Sequence, residues 1–401
     1  MKSDILQDAI GEVNDFYIQD AEKKVSSKNM EWFRLVIAAA CVCLLIGVVY
    51  VNVRQRVSEP PVTAADLPKI TLSEYITGGM GFEAKMCYDA KELDNGNPWN
   101  NKMKLKTLPV FKNGSYDPSG AGIPIGFDEA TLKTRLEDAA KSLDLDLTQA
   151  EIEVQRIDEE EVAESGAEED AVYGICASTD EWRLTVEANG FTRIHFLKGC
   201  QLPEQYHFTR TKSTDQETED AMKYLISEFA SFLSFDNPQI VLGGEYYSDG
   251  EYFRECLVYD CVAAEEEKIL NYHFRHAKFT PDFDGNLSMI DVYDELTNAE
   301  KIGDYPIISE KEATQKLLNG QYQTSISENV PGKKYIVKTE LVYITGPLTE
   351  TFLPYYRFYV ELPDTSDYTM AEGLKMYGAY YVPAIPDECI SNLTIYDGRI
   401  N

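Results

Sequence analysis

The longest apolar run in the chain is Leu35–Val53, nineteen residues without a charged side chain. At a rise of about 1.5 Å per residue, a helix of this length crosses the ~30 Å hydrocarbon core of a bilayer. Trp32 and Tyr50 lie near its two ends, where amphipathic aromatic rings settle. A cleaved signal peptide is the alternative, but an acidic leader precedes the run and Val53-Arg-Gln-Arg56 follows it in place of a small-residue cleavage site. The run predicts one uncleaved transmembrane helix and confines any globular fold to the segments beside it.

Flanking charges set the expected orientation. Lys23, Lys24, Lys28 and Arg34 precede the span, whereas only Arg54 and Arg56 follow it closely, so the N-terminus is predicted to be cytoplasmic and the C-terminal part extracellular. The expected localisation is the cell membrane. The predicted organisation is a cytoplasmic amphipathic helix (1–34), the transmembrane helix (35–53), a linker (54–69), a loop-rich lead-in segment (70–126), a first helix-plus-sheet unit (127–200), a second (214–295) and a third, partial one (305–401).

The chain is strongly acidic, with a net charge of −31. All of this excess lies in residues 57–401, because residues 1–56 hold seven acidic and seven basic residues. Such a surface repels nucleic acids and other polyanions, so no nucleic-acid partner is expected. It suits cationic partners.

The cytoplasmic segment reads as an amphipathic helix over residues 4–25. One face of it carries Ile5, Leu6, Ile10, Val13, Phe16 and Tyr17, and acidic side chains cover the other face. Either the helix rests at the membrane interface or frays in solvent, or its apolar stripe docks on a protein partner. An interfacial helix is normally basic on its polar face, and this one is acidic. These six residues are therefore the predicted partner-binding site.

Beyond the span, one order of elements recurs. Helices are predicted at Phe127–Leu143 and Thr214–Phe232, and a third begins at the capping box Ser309–Glu312. Strands are predicted at Thr107–Phe111, Glu151–Ile157, Ala171–Ser178, Trp182–Glu187, Thr192–Phe196, Gln239–Tyr246, Tyr252–Val262, Ile269–Phe279, Leu287–Tyr293, Tyr335–Ile344, Tyr355–Leu362 and Ala379–Ala384. Because each helix has one apolar face, it should pack across a curled antiparallel sheet, and the expected class is α+β.

Chemistry-bearing motifs are few. His273 and His276 form the only close histidine pair, and on the predicted strand their side chains point to opposite faces and would not share a metal ion. The sequence contains no G-x-S-x-G, P-loop or H-E-x-x-H motif. The acidic run Asp158–Asp170 and the turn Asp282–Asn286 lack the spacing of a calcium loop and are expected to be a solvated loop and a hairpin turn. No catalytic residue, cofactor or metal site is predicted.

Six cysteines lie in the predicted extracellular part: Cys87, Cys176, Cys200, Cys256, Cys261 and Cys389. Up to three disulfides could form, and the sequence does not choose among the pairings.

Tyrosines are concentrated in Leu353–Tyr359 and Met376–Pro383. Their density reflects strand propensity, or a few of them line a peptide-binding groove.

The C-terminal third resembles the ectodomains of YycH/YycI-type regulators, single-pass proteins of Gram-positive bacteria that modulate a cell-wall sensor kinase. The resemblance rests on Asp304–Ala313, Leu317–Tyr322, Thr339–Tyr343, Tyr355–Tyr359 and Tyr380–Ala384. It implies PepSY-like or cystatin-like units of a helix and a curled sheet. The N-terminal stretch Ala9–Ala21 resembles clostridial single-pass membrane proteins, some of them labelled anti-sigma-factor-like.

Together these features lead us to expect a non-catalytic, membrane-anchored extracytoplasmic regulator that binds a protein or peptide. Two alternatives stay open: a structural or accessory cell-envelope protein, and a cell-wall enzyme that uses paired carboxylates. The oligomeric state is left undetermined.

Overall fold

A computed structural model of the chain describes residues 66–72, 83–157, 171–363 and 369–393. The predicted transmembrane helix Leu35–Val53, the predicted docking residues Ile5–Tyr17 and the acidic run Asp158–Asp170 lie outside them. Within the described ranges, no helix has the length and apolarity needed to cross a membrane.

The described residues form five α-helices and fifteen strands among the elements with assigned bounds. The helices are α1 (Glu129–Ser142), α2 (Asp215–Glu228), α3 (Ala230–Leu233), α4 (Glu265–Phe274) and α5 (Glu310–Leu318). The strands are β1 (Ala84–Cys87), β2 (Thr107–Asn113), β3 (Glu151–Arg156), β4 (Val172–Ser178), β5 (Trp182–Glu187), β6 (Thr192–Cys200), β7 (Pro238–Tyr246), β8 (Tyr252–Asp260), β9 (Arg275–Pro281), β10 (Leu287–Asp294), β11 (Ala299–Pro306), β12 (Ile336–Tyr343), β13 (Thr351–Phe352), β14 (Pro354–Glu361) and β15 (Lys375–Pro383).

The largest sheet has eight antiparallel strands in the order β3-β4-β5-β6-β10-β9-β8-β7. One half follows α1 and the other follows α2, and the two halves meet where β6 pairs with β10. Leu132 and Leu136 of α1 and Leu225 of α2 are buried in one apolar cluster with inward residues of the sheet such as Ile194 and Val258. The helices therefore cover one face of this sheet.

Two smaller sheets are built from strands that precede and follow the eight-stranded sheet in the chain. Four strands run in the order β1-β15-β14-β12, and three run β11-β2-β13. Helix α5 packs on β15, and its buried Ala313 and Leu317 share a cluster with Phe358 and Tyr380. The predicted lead-in segment thus contributes two strands, β1 and β2, that pair with C-terminal strands.

The eight-stranded sheet is an insertion in the chain between β2 and β11, which are antiparallel neighbours. At the point of exit and return, Gly114 N donates to the Asn298 carbonyl at 2.8 Å, and Asn298 Nδ2 donates to Ser115 Oγ at 2.9 Å. The chain leaves the smaller sheets and comes back at one place.

The mixed α+β class and the mostly antiparallel pairing agree with the sequence prediction. The predicted strand Ile269–Phe279 is wrong over its first half, where residues 265–274 form α4 and only Arg275–Pro281 is a strand. Three glutamates in the first turn favour a helix at its N-terminus, and Leu270 and Phe274 are four residues apart on one face. Both also pack with the core of the smaller sheets, so helical spacing governs this segment.

Candidate functional site

A cavity of about 430 Å³ lies between the uncovered face of the eight-stranded sheet and the four-stranded sheet. Volumes of roughly 300–1,000 Å³ are typical of small-molecule sites. The large sheet and α4 contribute Val241, Gly243, Glu255, Leu257, Tyr272, His273, His276, Lys278, Tyr293 and the adjoining Glu295, whereas the smaller region contributes Glu83, Lys85, Asn95, Tyr343, Arg357, Tyr359 and Tyr381.

Strand alternation places these side chains. On β9, His276 and Lys278 face the cavity, whereas Ala277 and Phe279 pack in the helix-covered cluster. On β14, Arg357 lines the cavity and its neighbour Phe358 is fully buried on the opposite face. Because strand side chains alternate with a period of two, each strand builds a core on one face and a polar wall on the other.

A buried ion network supports the wall. Glu340 on β12 lies directly opposite Arg357 on β14, and Arg357 Nη2 donates to Glu340 Oε2 at 2.5 Å. Lys338 Nζ lies 2.6 Å from Glu340 Oε1 and donates to the Leu93 carbonyl at 2.7 Å. Burial opposes ionisation of Glu340, but the two cations outweigh it and lower the pKa of this carboxyl. Both cations are thus committed to a resident carboxylate.

Glu83 has one oxygen bound and one without a partner. Its Oε1 accepts the hydroxyl of Tyr381 at 2.5 Å, and its Oε2 is buried without a hydrogen-bond partner among the described residues. Burial and the Glu83 carboxylate raise the pKa of Tyr381, so the phenol stays protonated and donates.

Two imidazoles share the same cavity. Burial lowers the pKa of His273 and that of His276 to about 3, so both rings are neutral at physiological pH. His276 stacks on Tyr293 with ring centroids 4.5 Å apart. His273 Nε2 and His276 Nδ1 are buried, and neither has a hydrogen-bond partner within the described part of the chain.

Glu295 is a buried carboxyl among the residues that line the cavity. Burial raises its pKa to about 7, against hydrogen bonds from Gly346 N at 2.9 Å and from Thr345 Oγ1 at 3.2 Å. Since each oxygen of the carboxyl accepts one of these bonds, Glu295 holds the loop after β12 against the end of β10.

Cys256 is the one thiol among the cavity-lining residues, and burial raises its pKa to about 12. It therefore lacks the thiolate character that a nucleophile needs near neutral pH. No disulfide joins the six cysteines of the predicted extracellular part within the described residues, so none of the allowed pairings is formed in this structure.

A larger depression of about 720 Å³ lies beside the β9–β10 turn, where Phe283 is fully exposed. No residue that lines it has a buried polar atom without a partner, as judged over the described residues. The cavity between the sheets is therefore the stronger candidate site.

The histidine pair singled out in the sequence does reach one cavity, although His273 lies at the end of α4 rather than on a strand. No group of three or more metal-ligating side chains is assembled among the described residues.

Three residues of the cavity and its ion network were not predicted from the sequence: Glu83, Glu340 and Arg357. For Glu340 and Arg357 a signal was available, because each is a charged residue among apolar and aromatic residues of its strand, and a buried charge must be paired.

No protein-family model matches the chain, and no curated protein matches it either.

Proposed function

We propose that this protein is a non-catalytic, membrane-anchored regulator whose described domain senses a ligand held between the two sheets. One observation carries the proposal: Glu83 Oε2, His273 Nε2 and His276 Nδ1 are buried on the cavity wall without a partner in the described chain. Unpaired buried polar atoms destabilise a fold, so a purely structural domain gains nothing from keeping three of them in one cavity. A ligand that hydrogen-bonds them removes that cost.

Membrane anchoring rests on the apolar run Leu35–Val53, and the regulatory role rests on the resemblance of the C-terminal third to YycH/YycI-type proteins. The partner-binding element in this proposal is the stripe from Ile5 to Tyr17. Ligand binding between the sheets would bias the domain between two arrangements, and the span and inner helix would pass that bias to a protein partner.

We also propose that the two halves of the eight-stranded sheet are PepSY-like or cystatin-like units. In each half, a helix precedes four strands that pair in sequence order, β3 to β6 and β7 to β10. The halves run in opposite directions across the sheet, as two related units placed edge to edge would.

A catalytic role has less support. Glu295 has the raised pKa of a general acid or base, but both its oxygens are engaged by Thr345 and Gly346. Glu340 is held ionised by Arg357 and Lys338. The cavity therefore favours binding over proton transfer.

A blocked cavity tests the sensing role. On β7, a Cβ at Gly243 would meet only the Cα of Asn95, at 3.8 Å, so Gly243→Leu should add a side chain to the cavity without a backbone clash. Gln239→Leu adds the same side chain at an exposed position of the same strand and is the control.

Full-length protein in detergent would be examined by native mass spectrometry for bound small molecules. We expect wild type and Gln239→Leu to carry a ligand and Gly243→Leu to have lost it. Identical spectra for all three, with no bound mass, would favour a structural role. Conversion of an added ligand over time would favour an enzyme.

Coupling to a partner is tested separately by photo-crosslinking in cells. A photoreactive residue in place of Phe16 should give an adduct with a sensor kinase or a sigma-factor regulator, and one in place of Leu45 should report partners within the membrane. Adducts with lipid alone, or none, would mean that the inner helix and the span serve only as an anchor.

A further inference from the structure

Among the buried atoms of the cavity wall that lack a partner in the described chain, Glu83 Oε2 is a hydrogen-bond acceptor. Glu83 is fixed in position, because its backbone N–H donates to Ser325 Oγ at 2.8 Å and its carbonyl accepts from Ala379 N at 3.0 Å. With Oε1 engaged by Tyr381, the remaining oxygen is held at the cavity wall. A buried carboxylate oxygen in this state requires a donor.

The imidazole of His273 adds a second acceptor. The backbone of Leu341 hydrogen-bonds this ring, and since that bond favours the protonated form, the ring is the donor. The partnerless nitrogen is Nε2, so in the neutral ring the lone pair lies on Nε2. His276 presents its own partnerless nitrogen to the same cavity.

The cationic side chains of the cavity divide into two groups. Arg357 is engaged by Glu340. Lys85 and Lys278 line the cavity and form no ion pair with any carboxylate in the described ranges; Lys278 lies 5.8 Å from the ring centre of Tyr293. The carboxylate opposite Lys278 on β10 is Asp291, which is taken by Arg193 at 2.6 Å. Two ammonium groups are therefore available to an anionic group.

The spacing of opposite charges limits the ligand. Glu83 directly precedes β1 and Lys85 lies within it, so their Cα atoms are two residues apart on extended backbone, roughly 7 Å. The two charged ends of an extended dipeptide are separated by a similar distance. A cavity of about 430 Å³ has room for a ligand of this size.

Building on the proposed sensing function, we propose that the cavity binds a zwitterion of dipeptide size. Its ammonium group is received by Glu83 and the two histidines, and its carboxylate by Lys85 or Lys278. The acidic surface of the protein assists capture of the positive end.

The test uses full-length protein in detergent and three probes: an equimolar library of L-dipeptides, the same library N-acetylated, and the same library as C-terminal amides. Binding is measured as the shift in melting temperature over a concentration series. We expect the free dipeptides to raise the melting temperature and both blocked libraries to need a concentration about tenfold higher or more. Glu83→Gln should weaken the free dipeptides by a similar factor, whereas Glu153→Gln on the exposed edge strand β3 should not.

N-acetylated dipeptides that bind as well as free ones would overturn the assignment of the ammonium site, and equal binding of the amides would overturn the carboxylate site. If no dipeptide binds while wild type still carries a small molecule that Gly243→Leu lacks, this inference fails and the sensing function stands. If neither is observed, both fail.

Discussion

At the scale of single residues, Glu295 should make the stability of the fold fall as pH rises. Its pKa is about 7 in the folded state against 4.5 in its unperturbed state, so the folded protein keeps a proton that the unfolded chain loses between these values. The contribution of the protonated Glu295 to the free energy of unfolding is complete below pH 4.5 and is lost progressively up to pH 7, by ~3 kcal/mol in total. Glu295→Gln should remove this loss.

The check is urea unfolding of the full-length chain from pH 4 to pH 8. We expect Glu295→Gln to match wild type near pH 4 and to be more stable by about 1–3 kcal/mol at pH 8. His273 and His276, with pKa values near 3, act in the opposite direction and reduce stability as pH falls below 6.5, in both proteins alike. If the Glu295→Gln protein tracks wild type at every pH, the Glu295 carboxyl is not buried as described.

Removing Arg357 alone from the ion network should lower the free energy of unfolding more than removing Arg357 and Glu340 together. Arg357→Met leaves Glu340 buried with Lys338 as its remaining cation, and we expect a loss of roughly 3–5 kcal/mol. Glu340→Leu combined with Arg357→Met removes the uncompensated charge and should recover part of that loss. A double-mutant cycle by chemical denaturation measures the coupling. Strictly additive effects would mean that the two side chains do not interact in solution.

The two histidines of the site could be identified in the sequence, but the faces of the secondary-structure elements on which they lie could not be predicted. His273 and His276 stood out as a close pair, yet which faces they occupy depends on the α4–β9 junction at Phe274. Glu83 was out of reach, because it meets Tyr381 only through the pairing of β1 with β15, nearly 300 residues apart in the chain.

At the scale of elements, the β5–β6 hairpin depends on a glycine. Gly190 has φ of +91°, and a Cβ there would lie 2.0 Å from the Asp294 carbonyl oxygen at the end of β10. Gly120 has φ of +84° and open space around it, so it is a control with matched backbone. We expect Gly120→Ala to cost about 1 kcal/mol and Gly190→Ala at least ~2 kcal/mol more, measured by urea unfolding. Equal losses would contradict the close approach of the turn to β10.

Elements with local signals were predicted well. Each of the helices α1, α2 and α5 is capped by the side chain of the residue before it, which is Asp128, Thr214 or Ser309 respectively. The error at α4 arose because two patterns overlap there: Leu270, Tyr272 and Phe274 alternate as in a strand, whereas Leu270, Phe274 and Ala277 follow the i, i+4, i+7 spacing of a helix. Strand β11 (Ala299–Pro306) was not predicted, because its charged residues and glycine carry little strand propensity, and it forms by pairing with β2.

At the scale of the whole molecule, the insertion between β2 and β11 should be separable. Its ends are already joined by the bond from Gly114 N to the Asn298 carbonyl, and its core of α1, α2 and the helix-covered sheet face lies within residues 129–294. We expect a fragment of residues 114–298 to fold cooperatively, with β-rich circular dichroism. The fragment should not bind dipeptides, because Glu83 and Lys85 are missing from it.

One element of this fragment should behave differently. Ile269 and Phe274 of α4 are buried in the core that α5 and the smaller sheets build, so in the fragment their partners are absent. Ile269→Lys should therefore cost the full-length chain roughly 3 kcal/mol or more, through a charge placed in that core, and cost the fragment almost nothing. Leu136→Ala in α1 is the control, because its cluster is retained in both, and it should cost each about 2–5 kcal/mol. Urea unfolding of the four variants and their two parent chains measures these losses. Equal losses from Ile269→Lys in the fragment and in the full-length chain would mean that α4 belongs to the inserted sheet. A loss only in the full-length chain places α4 with the smaller sheets and makes it the element through which the two walls of the cavity are coupled.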